Sequence, residues 1–272
     1  MGIVNVTPDS FADHAAALDP AVAVDRALRM EADGADLIDI GGESTRPGAV
    51  PVSAPDELAR ILPVLRALAG RLRIPISVDT YKAEVARAAF DEGASLANDV
   101  SGLKYEPALA GVVANAGAAL VVMHMRGRSR TMYAEADYGD VIAEVTRELR
   151  ESLIAAESAG VSRDRLIVDP GIGFAKQSAH SYGVLARLSE VAVALDRPLL
   201  SGPSRKSFMR EALQDRPAAE RDWGTAAAVT ASVLAGAHIV RVHAVSEMAQ
   251  VVLVAEAIRR QGLIAADTDP FL

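Results

Sequence analysis

No cysteine occurs anywhere in the sequence, which removes disulfide frames, thiolate nucleophiles and cysteine-ligated metals from consideration. Aromatic residues are also scarce, at 4% of the chain, although half of all residues are hydrophobic. The core must therefore be assembled from Val, Ile, Leu and Ala, the composition of packed parallel sheets covered by helices. Positive charge is in deficit: 28 Lys and Arg stand against 36 Asp and Glu, a formal charge of −8 with a pI near 5.2. That balance argues against a bulk electrostatic grip on nucleic acid and leaves room for a local basic pocket around a small anion. The longest apolar stretch, Thr225 to Gly236, is too short and too rich in Ala and Thr to span a bilayer, so it reads as a buried helix. No membrane partner is expected. The opening Met1-Gly2-Ile3-Val4-Asn5 carries no secretory pattern, and the expected compartment is the cytoplasm.

What the chain does have is eight short runs rich in branched residues: Ile3 to Val6, Leu37 to Ile40, Ile74 to Val78, Ser95 to Asn98, Ala119 to Met123, Leu166 to Val168, Pro198 to Leu200 and Ile239 to Val242. A helical pattern follows each. The first spans Pro20 to Ala32, with Asp19 as N-cap and Pro in the first turn. The others are Pro55 to Ala69, Lys82 to Asp91, Pro107 to Asn115, Asp140 to Ala159, Tyr182 to Leu195, Ala218 to Ala235 and Ser246 to Arg260. Gly34, Gly70, Gly93, Gly117, Gly160 and Gly236 are placed to stop six of them in the left-handed conformation. Strict alternation without a linker predicts one parallel sheet. Eight units predict that it closes into a (β/α)8 TIM barrel, a fold of about 250 residues. The barrel is expected over residues 2–261 of a single domain spanning 1–272, with 262–272 as a C-terminal tail. An open doubly wound sheet is the alternative, but it would gather its site at one switch in strand order.

In a barrel the chemistry sits at the C-terminal strand ends. Here those ends carry Asn5, Thr7 to Ser10, Gly41 to Gly48, Asp79-Thr80, Asn98-Asp99, Met123-His124, Asp169-Pro170-Gly171, Ser204 to Ser207 and Arg241-Val242-His243. One polar residue in such a place is ordinary turn chemistry; recurrence at all eight points to a site. Asp79, Asn98 and Asp169 each end an apolar run and need partners once buried. Arg241 and His243 lie two apart on a strand and share a face, a plausible clamp for an anion, where a lone histidine would read as a satisfied core residue. Met123 by itself reads as a gap-filling core residue. His14, His180 and His238 are isolated and lack metal-ligand spacing. Gly171 to Lys176 matches only part of a dinucleotide loop, and Gly202 to Ser207 is too short for a phosphate loop. Glu43 is either a base or a loop carboxylate holding backbone N–H groups. The sequon Asn5-Val6-Thr7 lies at a strand end and carries no role.

Seven segments, Asn5 to Phe11, Gly41 to Gly48, Ser77 to Thr80, Asn98 to Gly102, Asp169 to Phe174, Ser204 to Ser207 and Arg241 to His243, are similar to the ordered motif set of the dihydropteroate synthase family. The resemblance runs from Gly2 to about Val245, and its specificity comes from the number and order of the motifs. Two departures stand out. After Phe11 the first loop reads Ala12-Asp13-His14-Ala15-Ala16-Ala17-Leu18 in place of a glycine-bearing form, and the sequence starts at the first barrel strand without the segment that usually plugs the floor.

The resemblance implies a TIM barrel that joins 6-hydroxymethyl-7,8-dihydropterin diphosphate to 4-aminobenzoate, giving 7,8-dihydropteroate and diphosphate on the route to folate. A pterin offers a ring N–H beside an exocyclic amine, a pair that one carboxylate accepts bidentately, and Asp169 is the candidate. The family assigns Asp79, Asn98, Asp169 and Lys206 to the pterin, places Met123 against its ring and lays Arg241 over its face. It gives the diphosphate to Asn5, Arg241 and His243, with Asn5 as an oxygen ligand to Mg²⁺. Phe11, Asp13, Thr45, Arg46, Pro47, Phe174, Lys206 and Ser207 are implied around the arylamine, Ser207 on its carboxylate. Asn5, Asp79, Lys206, Arg241 and His243 are the implied catalytic set, and sulfonamides, which imitate 4-aminobenzoate, are expected to compete. Two other classes share the pterin contacts: a corrinoid-type methyltransferase, which does not need Ser204 to Ser207 together with Arg241 and His243, and a non-catalytic pterin-binding paralogue. Thr225 to Gly236 and Met248 to Ala257 present more apolar surface than one barrel flank hides, so a homodimer is expected.

Overall fold

The computed structural model describes residues 1–7, 19–45 and 48–268. Among them, eight strands alternate with helices: β1 (Gly2–Asn5), α1 (Pro20–Ala32), β2 (Ile38–Gly41), α2 (Ala54–Leu68), β3 (Ile76–Asp79), α3 (Ala83–Asp91), β4 (Leu96–Asp99), α4 (Ala108–Ala116), β5 (Ala119–Met123), α5 (Val141–Ser158), β6 (Leu166–Asp169), α6 (Ser178–Ala186), α7 (Leu188–Leu195), β7 (Leu200–Ser201), α8 (Asp222–Leu234), β8 (Ile239–Val240) and α9 (Val245–Thr268). Strands β1 to β6 form one sheet in sequence order, and β7 pairs with β8. Parallel bridges Val168–Leu199 and Gly2–Val242 join the two sheets at both edges and close the ring. The expected barrel is the observed one.

Side-chain alternation along each strand sorts the interior. Outward residues such as Val4, Ile38, Ile40, Val78, Leu120, Val122, Leu166 and Val168 pack beneath the helices in the main core. Inward residues one step away, Met1, Leu96, Val121 and Leu200 with Leu37, Ala119, Ile167 and Ile239, form a separate apolar cluster. It makes a floor inside the ring. One further inward step along β2, β3, β4, β6 and the end of β8 brings Asp39, Asp79, Asn98, Asp169 and Arg241 above that floor. Depth in the barrel is thus encoded by position along the strand.

Helix boundaries follow local chemistry. Asp19 accepts from Ala21 N and Asp140 from Ile142 N, both at 2.9 Å, capping α1 and α5. All six stop glycines have positive φ, between 61° and 99°. Three expectations need correction. Tyr182 to Leu195 is two helices, broken at Arg187, whose φ of −117° leaves the helical region. Ala218 to Glu220 is a separate 3₁₀ turn, and α8 starts at Asp222, whose carboxylate receives Arg205 Nε at 2.7 Å. The last helix continues past 261 to Thr268, where a tail was expected.

Candidate active site

The polar layer is held together by its own ions. Arg241 donates through Nε to Asp39 and through Nη2 to Asp79, each at 2.6 Å, and Asn98 Nδ2 donates to Asp39 at 3.0 Å. Burial works against the Arg241 charge, but the two carboxylates outweigh it and hold its pKa above the ordinary value. Asp79 is shifted up, chiefly by burial, with Arg241 opposing and the negative charge of Asp39 adding to the rise. Asp169 is likewise raised by burial, against the pull of Lys206 and a 2.7 Å bond from Gly171 N–H. Burial lowers Lys206 to about 8, opposed by Asp169. Three of these groups converge on Gly202. A Cβ there would lie in ordinary contact with all three, 3.7 Å from Arg241 Cβ, 3.9 Å from Lys206 Nζ and 4.0 Å from Asp169 Oδ2.

The turn after β6 explains why its motif carries two glycines. Gly171 has φ 69°, and a Cβ on it would meet the His124 carbonyl oxygen at 2.0 Å. Gly173 has φ 78°, and its Cβ would press on Lys206 Cδ at 2.9 Å. No side chain fits either place. The turn thereby brings Phe174 under Lys206, whose Nζ sits 4.2 Å from the ring centroid and donates to Ile172 O at 2.5 Å. Met123 is buried with Val100, Met125, Met132 and Ala175, and Tyr81 and Phe174 pack against that cluster. Its core reading and its place beside the site coincide.

Asn5 ends β1 half-buried, paired in register with Gly41. Ser204 Oγ accepts His243 N–H at 3.1 Å and lies 2.9 Å from His243 Nδ1. A hydrogen bond therefore joins the two side chains, its direction set by the imidazole tautomer. Ser207 is exposed, its Oγ 3.1 Å from Tyr133 OH. Thr45 borders a cavity of about 420 Å³ with Glu43, Tyr81, Tyr105, Met125 and Arg128. Glu43 is held by side chains: it pairs with Lys82, which also pairs with Glu57, and accepts from Tyr81 OH. His180 accepts from Gln177 N at a helix start and His238 from Leu199 N, both structural. Phe11, Asp13, His14, Arg46 and Pro47 lie outside the described residues.

Sequence reasoning passed over three participants. Asp39 is fully buried between Arg241 and Asn98, and its signal was a single charge inside an otherwise apolar strand. Lys176 sat in the glycine-bearing stretch set aside as an incomplete dinucleotide loop. Tyr133 lies in the long β5–α5 connection and had no pattern to mark it.

A family model described as pterin binding enzyme matches residues 1–243. The dihydropteroate synthase of Synechocystis sp. is 45% identical over 260 residues, covering 96% of this chain and 90% of that protein. The Yersinia pestis dihydropteroate synthase, solved in complex with a sulfonamide drug, superposes with a TM-score of 0.91 at 41% identity, over 96% of this chain and 94% of that one. The Xanthomonas albilineans dihydropteroate synthase, solved in complex with 7,8-dihydropteroate, gives 0.85 at 39% identity, over 95% and 92%. With a polar layer of Asp79, Asn98, Asp169, Lys206 and Arg241 at the mouth of a closed barrel, the chain belongs to the dihydropteroate synthase family of pterin-binding enzymes.

Proposed function

We propose that the chain condenses 6-hydroxymethyl-7,8-dihydropterin diphosphate with 4-aminobenzoate, an alkyl transfer to an arylamine that yields 7,8-dihydropteroate and diphosphate in cytoplasmic folate synthesis. The observation that carries this reading is the convergence of Asp169, Lys206 and Arg241 around the bare backbone of Gly202. Asp169 receives the pterin N–H and exocyclic amine, Asn98 and Asp79 take remaining ring groups, Lys206 donates to the ring carbonyl, Arg241 covers the face, and Met123 packs below. Such charge-assisted pairs orient the ring and fix the exocyclic methylene at the mouth. The C–O bond to diphosphate breaks with its electron pair on the leaving group. The amine lone pair forms the C–N bond and one proton leaves nitrogen. An arylamine is already nucleophilic at neutral pH, so the protein's task is orientation, charge stabilisation and exclusion of water. Thr45, Phe174, Lys206 and Ser207 bound the arylamine, joined in this reading by Phe11, Asp13, Arg46 and Pro47.

Asn5, Arg241 and His243 receive the diphosphate. Among the described residues no group of three His, Cys, Asp or Glu is arranged to hold a metal, and Asp39 and Asp79 are engaged by Arg241. That donor set suits Mg²⁺, which takes one or two protein oxygens and fills its shell with phosphate and water, with Asn5 as the protein ligand. When bound, the ion neutralises charge on the departing diphosphate. The same reading makes the chain a homodimer: α8 and α9 pack on each other yet leave Trp223, Leu253, Val254 and Ile258 exposed. Incubation with pterin diphosphate, 4-aminobenzoate and Mg²⁺ tests the reaction directly. Dihydropteroate is the expected product. Pterin binding without turnover would leave a non-catalytic paralogue, and methyl transfer would replace the reading altogether.

A further inference from the structure

Four consecutive carbonyls in the turn after β6 accept from side chains of other loops or of the turn's own end. Lys206 donates to Ile172 O at 2.5 Å, Tyr133 to Gly173 O at 3.4 Å, Lys176 to Phe174 O at 3.2 Å and Tyr138 to Ala175 O at 2.7 Å. A left-handed turn makes no ladder or helix bonds through these groups, so they need outside donors. Lys206 faces the mouth, Tyr133 is exposed and Tyr138 is half-buried. Lys176 differs: it is the largest fully buried side chain described, at 1% exposure.

Burial lowers Lys176 to about 7, opposed by the charge of Asp169, and a second contact holds the amine in place. Lys176 Nζ lies 2.9 Å from His124 Nδ1, and His124 Nε2 lies 3.1 Å from Glu148 Oε2. Glu148 also receives Arg126 Nε at 3.0 Å and Lys104 Nζ at 3.2 Å. Burial works against the Glu148 charge, but the bonds from His124 and Arg126 hold its carboxyl well below the usual range. An ionised carboxylate only accepts, so Nε2 carries the imidazole proton and Nδ1 is an acceptor. Burial, with Lys176 adding, keeps His124 neutral by lowering it to about 3. The chain of donors therefore runs in one direction, from Lys176 to His124 to Glu148. A buried lysine is costly compared with an apolar side chain of similar length, and its donors are spent on the backbone that carries Phe174 and follows Asp169.

We propose that Lys176, anchored through His124 and Glu148, is a positioning residue that fixes the Gly171–Phe174 turn so that the Asp169 carboxylate and the Phe174 ring hold their places at the barrel mouth. The inference rests on the reading of Asp169 as the pterin carboxylate, and neither Lys176 nor His124 touches substrate in it.

Two variants test it, Lys176→Met and Glu148→Gln, the second at the less buried end of the chain so that folding survives. Amide exchange at residues 171–174 should accelerate in both, more in Lys176→Met, while strand amides on the far side of the barrel keep native rates. Calorimetry with 6-hydroxymethylpterin should show affinity falling about tenfold in Lys176→Met, the scale of a modest misplacement, and the KM for pterin diphosphate should rise more than kcat falls. The ¹⁵N signature of an Nε2-protonated His124 should weaken in Glu148→Gln. Native exchange at 171–174 in a folded variant overturns the proposal, as does a lower melting temperature with unchanged pterin affinity. A native protein that binds no pterin, beside variants with loosened turns, would instead overturn the substrate reading and leave the anchoring of the turn intact.

Discussion

Arg241 spans two strands at once, with Asp39 of β2 on its Nε and Asp79 of β3 on its Nη2, each at 2.6 Å. Because Arg241 follows β8, this one guanidinium ties the closing edge of the barrel to strands beyond β1. It also sets a balance: a cation committed to two buried carboxylates is positioned in advance, and an incoming anion must share it. The pairing costs desolvation on three groups and is retained where a pterin face and a diphosphate are proposed to meet.

Replacing Arg241 by Met should destabilise the protein by roughly 3 kcal/mol, since it leaves two carboxylates buried and unpaired. The sign of the pH dependence checks the cause. Stranded carboxylates have raised folded pKa values, so the folded state binds more protons than the unfolded chain and the deficit shrinks as pH falls toward about 4. Urea unfolding of both proteins at pH 5 and pH 8 measures it. An equal loss at the two pH values would assign the effect to packing.

Asp169 offers a cleaner separation of turn and ligand. Its Oδ1 accepts from Gly171 N–H at 2.7 Å, a bond that Asp169→Asn keeps and Asp169→Ala removes. Both should lose pterin affinity by about a hundredfold, because Asn presents a donor or a single neutral acceptor to two ligand donors. Only Asp169→Ala should also loosen the turn. Calorimetry with a free pterin that returned the native affinity for Asp169→Asn would remove Asp169 from the site.

Lys206 titrates in a useful window. Its folded pKa is lowered to about 8 from 10.5 by burial, so between those values the unfolded chain binds more protons and native stability should rise with pH. Below pH 8 the full cost of burying the cation is present, on the order of 1–2 kcal/mol for a half-buried group. Lys206→Met should lack this rise, flattening the profile between pH 8 and 10.5 while abolishing turnover. A parallel pair of stability profiles would show that Lys206 is solvated.

On the homodimer, sedimentation at micromolar concentration should give a single species of twice the chain mass, and Ile258→Glu with Val254→Glu should shift it to monomer. A native monomer under those conditions leaves the apolar flank of α8 and α9 without this partner.

How much of this was legible beforehand follows from how local each signal is. Strand ends, the N-cap Asp19 and the left-handed glycines are decided within a few residues, and all were readable. The break at Arg187 was not, because the apolar spacing of α6 and α7 continues across it and only the backbone departs. Asp39 was hidden by the assumption that a parallel strand is apolar on both sides, which fails one step above the floor where inward positions form the polar layer. Lys176 and its partners come from β5, α5 and the turn after β6; nothing in their spacing links them. Local chemistry was visible, and contacts across strands were not.

The diphosphate is assigned to Asn5, Arg241 and His243, and His243 is bonded through Nδ1 to Ser204 Oγ, two residues before Lys206 and three before Ser207. An anion at His243 therefore acts on the same loop that supplies two of the proposed arylamine contacts. It also competes with Asp39 and Asp79 for Arg241, which frees Asp79 for the pterin ring. Both effects favour an arylamine pocket that is complete only after the diphosphate has arrived, so a sulfonamide should bind about tenfold or more tightly when Mg²⁺, diphosphate and a pterin are present than without them. Calorimetric titration of a sulfonamide under the two conditions reads the coupling, and Arg241→Ala should erase it by removing the anion contact and the ring-facing cation together. Equal affinity with and without diphosphate would mean that the pocket is already formed. Coupling that survives Arg241→Ala would move the anion contact from Arg241 to His243 and Ser204, and Ser204→Ala would then be the variant that loses it.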